Sequence, residues 1–159
     1  MKVALGSDHR GYRYKEIIKN WLKQNGYEVF DCGTNTEESC DYPDFGFPTS
    51  KAVAEGQCER ALLFCSTGNG MVITANKVKG IRAALGLSPE HTKMSRLHND
   101  ANVLAIPADY IDETTMLQMV ELWLKTPFES ERHARRVAKI EDFEERFCNP
   151  KSYEPMDIH

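Results

Sequence analysis

The chain has 159 residues and a formal net charge of −4 at pH 7, because 24 acidic side chains outnumber 20 basic ones. This length favours one domain with a substantial core. The acidic balance argues against a general nucleic-acid surface and an anionic membrane partner, and no apolar stretch is long enough for a membrane span.

The five cysteines are odd in number and include no C-x-x-C pair. The sequence therefore predicts neither a disulfide framework nor a zinc site. The N-terminal segment MKVALGSDH has an apolar run too short for a secretory signal. A reducing, cytoplasmic location is expected.

Short apolar segments recur along the chain and predict buried β-strands over residues 2–7, 28–33, 60–66, 82–87 and 102–107. The segments between and after them show helical periodicity, which predicts helices over 12–26, 44–56, 70–80, 88–100, 113–126 and 129–147. Alternation of strand and helix favours an α/β fold, a three-layer αβα sandwich on a Rossmann-like, five-stranded parallel sheet.

Local signals mark the limits of these elements. Ser88 followed by Pro89 predicts the cap and first turn of a helix. Residues 148–159 contain two prolines and no periodicity, so we expect an extended tail, either disordered or draped on a neighbour. A single domain is then predicted over residues 1–147.

Two loops rich in polar and small residues follow the first and third predicted strands. In an open parallel sheet, ligands bind at the carboxyl ends of the strands where the strand order reverses. If the order is 2-1-3-4-5, that point lies between these two strands. Ser7, Asp8 and His9 leave one strand, and residues 65–70 leave the other. A pocket is expected there.

Neither loop fits a standard nucleotide-binding motif. The glycines of residues 6–11 are followed by Tyr12-Arg13 instead of the Lys-Ser/Thr of a P-loop. Gly68-Asn69-Gly70 lacks the third small residue of a dinucleotide fingerprint, since Met71-Val72-Ile73 follows. Nucleotide binding of either kind is disfavoured.

The loop after Cys65 still favours an oxyanion site. Successive small residues can turn several backbone N–H groups into one concavity, and the following helix adds its dipole. We expect such surroundings to lower the pKa of the Cys65 thiol. Three roles for Cys65 stay open: a base on a C–H next to a carbonyl, an acyl-transfer nucleophile, or a small buried hydrophobe.

Several segments together resemble the type B ribose-5-phosphate isomerases, in a family that also holds the galactose-6-phosphate isomerase subunits. These segments are GSDHRGYRYK, DCGT, DYPDF, CSTGNGMVITANKVKGIRAAL, MSRLHNDANVLA and ERHARRVAKIEDFE. The resemblance runs from Met1 to Phe147. It implies a cofactor-free aldose–ketose isomerase that interconverts ribose 5-phosphate and ribulose 5-phosphate through a cis-enediolate.

The resemblance also implies roles for individual residues. Cys65 would be the base that moves a proton between C1 and C2, and His98 would open the sugar ring. Thr67 would bind the enediolate oxygens together with the backbone of Ser66, Gly68, Asn69 and Gly70. The remaining substrate contacts would be Asp8, His9, Tyr42, Asn99, Arg132 and Arg136. Of these, His9, Arg132 and Arg136 would hold the phosphate. The role of His133 stays open.

The implied active site is shared between two subunits, with the Cys65 loop of one facing the His98 segment of the other. This predicts a homodimer, with a tetramer as the alternative, and a small sugar phosphate as the other partner. Apolar residues on the predicted helices 70–80 and 113–126 are compatible with such an interface.

The chain departs from the family pattern at Asp109, where an arginine usually reaches the phosphate, and at Ser66, where glycine is common. Three explanations are open for Asp109: another cation such as Arg10 or Arg96 substitutes, the segment turns Asp109 away, or the substrate differs. The substrate would then be a different aldose phosphate or an unphosphorylated aldose. A non-catalytic sugar-phosphate-binding protein is a further alternative, although such a protein needs no base.

Overall fold

A computed structural model describes residues 1–147; the predicted tail over 148–159 lies outside the described residues. Its core is a five-stranded parallel sheet. The strands are β1 (Lys2–Ser7), β2 (Glu28–Asp31), β3 (Arg60–Cys65), β4 (Ala83–Leu85) and β5 (Val103–Pro107). The predicted α/β fold with a Rossmann-like sheet is confirmed, and β2 and β4 are shorter than predicted.

The strand order is β2-β1-β3-β5-β4, so the assumed order 2-1-3-4-5 was wrong for the last two strands. β5 is buried along its whole length and pairs with β3 on one side and β4 on the other. β4 has three half-buried residues, which suits the edge of the sheet. The reversal between β1 and β3 is unaffected, and Ser7 lies beside Phe64 there.

The described residues form helices α1 (Tyr12–Gln24), α2 (Pro43–Ala54), α3 (Asn69–Asn76), α4 (Pro89–Asn99), α5 (Glu113–Lys125) and α6 (Ser130–Phe147). None of them is long and apolar enough to cross a membrane. The predicted cap of α4 is confirmed, since Ser88 Oγ accepts a hydrogen bond from the His91 N–H at 3.2 Å. α3 ends four residues before the predicted limit, because the Asn76 amide bonds the N–H and C=O of Ala83 at 2.8 and 3.0 Å.

The helices cover both faces of the sheet. One apolar cluster joins α1 and α5 to the sheet through residues such as Ile18 and Trp123. A second cluster joins α2 and α3 to the other face and contains Cys65 and Met71. The buried apolar residues of α5, such as Met119 and Val120, pack within the subunit, so they give no evidence for a subunit interface. On α3, by contrast, Ile73 is 61% exposed.

A buried lysine lies under the end of β2, which the sequence did not predict. The Lys15 side chain is 0% exposed, and its Nζ bonds both oxygens of Asp31 at 2.8 and 3.0 Å and Glu16 at 3.0 Å. Lys19 adds a contact to Asp31, which also accepts the Gly33 N–H at 2.9 Å. Burial alone would raise the pKa of Asp31, but hydrogen bonds from the two lysines hold it below its usual value. The network fixes the chain as it leaves β2.

Candidate active site

Two groups of predicted site residues lie at opposite ends of the strands, which are called the carboxyl edge and the amino edge below. The carboxyl edge carries Asp8, His9 and the loop 65–70, because β1 and β3 end there side by side. The Asp8 N–H donates to the Phe64 carbonyl at 3.3 Å, which ties the two strand ends together. The expected pocket position at the strand reversal is therefore supported by the geometry.

Cys65 is the last residue of β3 and is 4% exposed. Backbone N–H groups of Met71, Gly68 and Thr67 point toward its thiol. Burial nevertheless raises the pKa of Cys65, since loss of water around the sulfur outweighs these three donors. The predicted lowering of this pKa was wrong. The backbone N–H donors are present, but the thiol that they face lies in an apolar setting.

The loop after Cys65 needs glycine at two positions. Gly68 has φ +76°, a left-handed conformation, and a Cβ there would lie 2.5 Å from Leu85 Cδ1. A Cβ at Gly70 would lie 2.8 Å from the Tyr42 ring, so Tyr42 packs directly over this loop. Thr67 is exposed, and its Oγ1 accepts the Asn69 N–H at 3.3 Å. The loop therefore carries its backbone donors in a fixed shape.

Asp8 and His9 are oriented by backbone contacts. The buried Asp8 carboxylate accepts the N–H groups of Arg10 and Gly11 at 3.0 and 3.1 Å, which shapes the turn into α1. His9 Nδ1 accepts the Cys40 N–H at 3.2 Å. Because Nδ1 is an acceptor, the neutral ring carries its proton on Nε2 and can donate from that side.

A cavity of about 430 Å³ adjoins this edge. It is lined by His9, Arg10, Arg13, Tyr14, Glu37, Ala108 and Asp109. The two arginines are both paired with carboxylates: Arg10 with Asp109 at 2.7 Å and Arg13 with Glu113 at 2.9 Å. The neighbouring Ser66 hydroxyl and the Arg10 guanidinium hold the pKa of Asp109 below its usual value.

These contacts narrow the explanations for Asp109. Asp109 lines the cavity, so the segment does not turn it away. Arg96 is buried, and its guanidinium bonds Asp100 and the carbonyls of Ala101 and Thr126. Arg96 is therefore no substitute cation, whereas Arg10 lies directly against Asp109.

The second group lies where α4 ends and α6 begins. The His98 ring stacks on the buried His133 with centroids 4.3 Å apart. Arg132 Nε and Arg136 Nη1 each lie 3.4 Å from a ring nitrogen of His133. Burial lowers the pKa of His133, and the nearby His98 and arginines lower it further, which keeps the ring neutral near pH 7.

His133 is thus a residue whose position sequence reasoning left open. It faces the core of the subunit, while Arg132 and Arg136 on the same helix are exposed. Its adjacency to two site arginines was the available signal. Asn99 is also exposed, and its carbonyl accepts a hydrogen bond from Arg82 at 3.1 Å.

The two groups lie toward opposite ends of the same strand, β5. Cys65 lies beside Pro107 at the end of β5, whereas His98 and Asn99 precede the start of β5 at Val103. That strand alone separates the edges by about 13 Å. Cys65 and His98 therefore lie toward opposite ends of β5.

Among the described residues, His98, Glu129 and His133 have potential metal-ligand atoms within 4.8 Å of one another. The two imidazole planes are 17° from parallel, so their in-plane lone pairs do not converge on one point. Both ring nitrogens of His133 also face guanidinium groups. This geometry and charge disfavour a bound cation.

Comparisons with known proteins agree with the geometry. Residues 3–140 match the ribose/galactose isomerase family. The chain is 39% identical over 145 residues to ribose-5-phosphate isomerase B of Escherichia coli strain K12, covering 91% of this chain and 97% of that protein.

Two solved structures are also similar. Ribose-5-phosphate isomerase B of Clostridium thermocellum superimposes with a TM-score of 0.90 and 48% identity, covering 92% of this chain and 99% of that one. The Mycoplasma genitalium enzyme with bound ribulose-5-phosphate gives a TM-score of 0.88 and 36% identity, covering 91% and 96% of the two chains.

Proposed function

Because the chain belongs to the ribose/galactose isomerase family, we propose that it interconverts ribose 5-phosphate and ribulose 5-phosphate with Cys65 as the base. The chain is an aldose–ketose isomerase, an intramolecular oxidoreductase in which C1 is reduced as C2 is oxidised. The observation that carries the role of Cys65 is its position. Its thiol lies at the end of β3, where the strand order reverses, and three backbone N–H groups point toward it.

The proposed chemistry is one proton moved between adjacent carbons. The Cys65 thiolate removes the proton from C2 of the open-chain aldose, and the electron pair forms the C1–C2 double bond of a cis-enediolate. The thiol then returns the proton to C1, while a proton passes from O2 to O1, which leaves the ketose. Thr67 and the backbone N–H groups from Ser66 to Gly70 stabilise the enediolate oxygens.

The high pKa of Cys65 suits this task. A carbon acid next to a carbonyl is weak, and a thiolate of raised pKa is a stronger base toward it. The thiolate is then a minor species at neutral pH, so forming it contributes to the barrier. The N–H donors of the loop reduce that contribution.

Ring opening belongs to His98 of a second copy in this proposal. Support comes from the placement of Cys65 and His98 toward opposite ends of β5, which favours a site shared between two copies. Arg132 and Arg136 are exposed and form no ion pair with a described residue, which leaves them available for a phosphate dianion. His9, through Nε2, would share that phosphate, with Asp8, Tyr42 and Asn99 contacting the sugar.

A homodimer is the smallest assembly with this site, and a tetramer stays a prediction.

Replacing Cys65 with alanine tests the role of the base. We expect Cys65→Ala to reduce turnover by at least about a thousandfold. Substrate binding and thermal unfolding should change little, because the thiol is small. The measurement is exchange of the C2 proton of ribose 5-phosphate into deuterium oxide, followed by NMR. Substantial exchange in this variant would contradict the assignment.

Cys58→Ala is the matched control. Cys58 is equally buried, at 4% exposed, and belongs to the same apolar cluster, yet it lies before the amino end of β3. We expect near-normal turnover from it. The proposed reaction needs no metal or cofactor, so wild-type exchange should also persist in EDTA. A cytoplasmic location is part of the proposal and is supported by four free cysteines among the described residues.

A further inference from the structure

The wall of the 430 Å³ cavity is attached to the loop that carries the base. The Ala108 N–H donates to the Cys65 carbonyl at 2.9 Å, and the Asp109 N–H donates to the Ser66 carbonyl at 3.1 Å. Asp109 therefore keeps a fixed distance from the thiol. A group held by Asp109 is fixed relative to the reacting carbons as well.

The group that Asp109 holds is the guanidinium of Arg10. Arg10 Nε and Nη2 both donate to Asp109 Oδ2, at 3.0 and 2.7 Å. The Arg10 backbone is fixed as well, through the Asp8 carboxylate. A guanidinium has about five N–H donors, so more than half stay available on the side away from Asp109. The Arg10 side chain is 57% exposed at the cavity.

The other cation of the cavity is less suited to a ligand. Arg13 is bound to Glu113 at 2.9 Å and lies over the Tyr14 ring at 5.7 Å. Its carboxylate partner lies on another helix, α5, whereas Asp109 joins Arg10 to the catalytic loop. Arg10 also follows directly after His9. The Nδ1 atom of His9 accepts the Cys40 N–H, which leaves Nε2 as the donor of the ring.

We propose that Arg10 binds the phosphate of the substrate, and that Asp109 is the residue that positions Arg10. Arg10 then determines specificity for phosphorylated over unphosphorylated aldoses. The assignment rests on the proposed function, because that function identifies the ligand of the cavity as a sugar phosphate.

The negative charge of Asp109 does not prevent this role. Its Oδ2 already accepts two N–H groups, so its charge is largely offset by Arg10 at 2.7 Å. A phosphate oxygen would meet the far edge of the guanidinium, in a charge-assisted bond of set direction. The arginines from a second copy would supply the net positive charge.

Kinetics with Arg10→Met test the ligand role. We expect KM for ribose 5-phosphate to rise roughly ten- to hundredfold with kcat little changed, since one charge-assisted bond is lost. Exchange of the C2 proton of free ribose should stay at its wild-type level. Arg146→Met is the matched control, because Arg146 is 62% exposed, paired with Asp142 at 2.9 Å, and not among the residues that line the cavity. It should leave KM within about twofold.

The positioning role is tested by Asp109→Asn alone and combined with Arg10→Met. The single variant should raise KM for ribose 5-phosphate by roughly three- to tenfold, since the guanidinium loses a charged partner. In the Arg10→Met background it should have no further effect. A lower KM in Asp109→Asn would overturn the proposal, because Asp109 would then repel the phosphate. An equal loss with ribose would overturn it as well.

Calorimetric binding of ribose 5-phosphate separates this inference from the proposed function. If the wild type binds the compound without exchanging its C2 proton, and Arg10→Met binds it more weakly, the isomerase function fails and the phosphate site stands. If the wild type exchanges the proton and Arg10→Met binds normally, the phosphate site fails and the function stands. Absence of both binding and exchange in the wild type overturns both.

Discussion

At the scale of single residues, Cys65 shows how position sets chemistry. The same thiol faces backbone donors that favour the thiolate and an apolar core that favours the thiol. Burial is the larger effect, so the side chain is held as a neutral acid that becomes a strong base once ionised. In the proposed reaction, the donors that fail to lower its pKa bind the oxygens of the enediolate.

Alkylation of Cys65 should show this raised pKa. Iodoacetamide reacts with the thiolate, so the alkylation rate rises with pH and reaches half its maximum at the pKa of the thiol. For the folded protein we expect that midpoint above the value of about 8.5 typical of an exposed thiol. The rate at Cys65 is measured by peptide mass spectrometry between about pH 7 and 10.

The same cysteine in the chain unfolded by denaturant is the reference for that experiment. Limited access to a buried sulfur slows alkylation at every pH but does not move the midpoint. A folded-state midpoint below the unfolded one would show that the backbone donors dominate after all.

At the scale of elements, the segment after β2 depends on a buried charge network. Lys15 is fully buried, and without Asp31 only the Glu16 carboxylate would remain to compensate its charge. The segment continues to Cys40, whose N–H orients His9. The ion network under β2 thus supports a site residue through the loop between them.

Asp31→Asn should lower the free energy of unfolding by about 3 kcal/mol at pH 7, because it leaves a buried ammonium underpaired. The folded pKa of Asp31 lies below its unfolded value. The contribution is therefore fully present above the unfolded pKa of about 3.9 and is lost as pH falls through the folded pKa. Urea unfolding at several pH values measures both effects.

Asp142→Asn is the control for Asp31→Asn. It removes an ion pair with Arg146 in which both side chains are more than 60% exposed. Such exposed pairs contribute about 1 kcal/mol or less. Equal losses from the two substitutions would contradict the special role of the buried lysine.

At the scale of the whole molecule, the sheet keeps Cys65 and His98 apart. Cys65 lies at the carboxyl edge, and the stacked His98 and His133 lie near the amino edge. In a two-fold dimer, each of these surfaces can meet the other surface of the second copy, which yields two identical sites. The long spacing within one chain then becomes a short spacing between chains.

Mixing two defective variants tests the shared site. Cys65→Ala and His98→Gln should each be nearly inactive as homodimers. After co-expression, heterodimers contain one site with both residues intact, so activity should return to about a quarter of the wild-type value. Activity is measured as ribulose 5-phosphate formed per milligram of mixed protein.

The doubly substituted chain provides the control. Heterodimers of wild type with Cys65→Ala/His98→Gln carry one defect in each site, so the double variant should suppress the wild type on mixing. If the double variant does not suppress the wild type, and the two single variants do not restore activity to each other, Cys65 and His98 of one chain lie in the same site.

The sequence by itself determined the fold class and the chemistry-bearing loops. Apolar runs and helical periodicity are local properties, so they predict strands and helices and the cap at Ser88. The loop of residues 65–70 was predicted in the same way, and the family pattern supplied roles that no spacing could give. Ends of elements were less predictable, because the stop at Asn76 depends on Ala83 of another element.

Only the tertiary structure decided what depends on residues distant in sequence. The place of β5 between β3 and β4, the pairing of Arg10 with Asp109 across 99 residues, and the stacking of His98 on His133 are such contacts. The pKa of Cys65 belongs with them: the loop sequence indicates the donors, but the desolvation that outweighs them comes from the packing of the whole sheet.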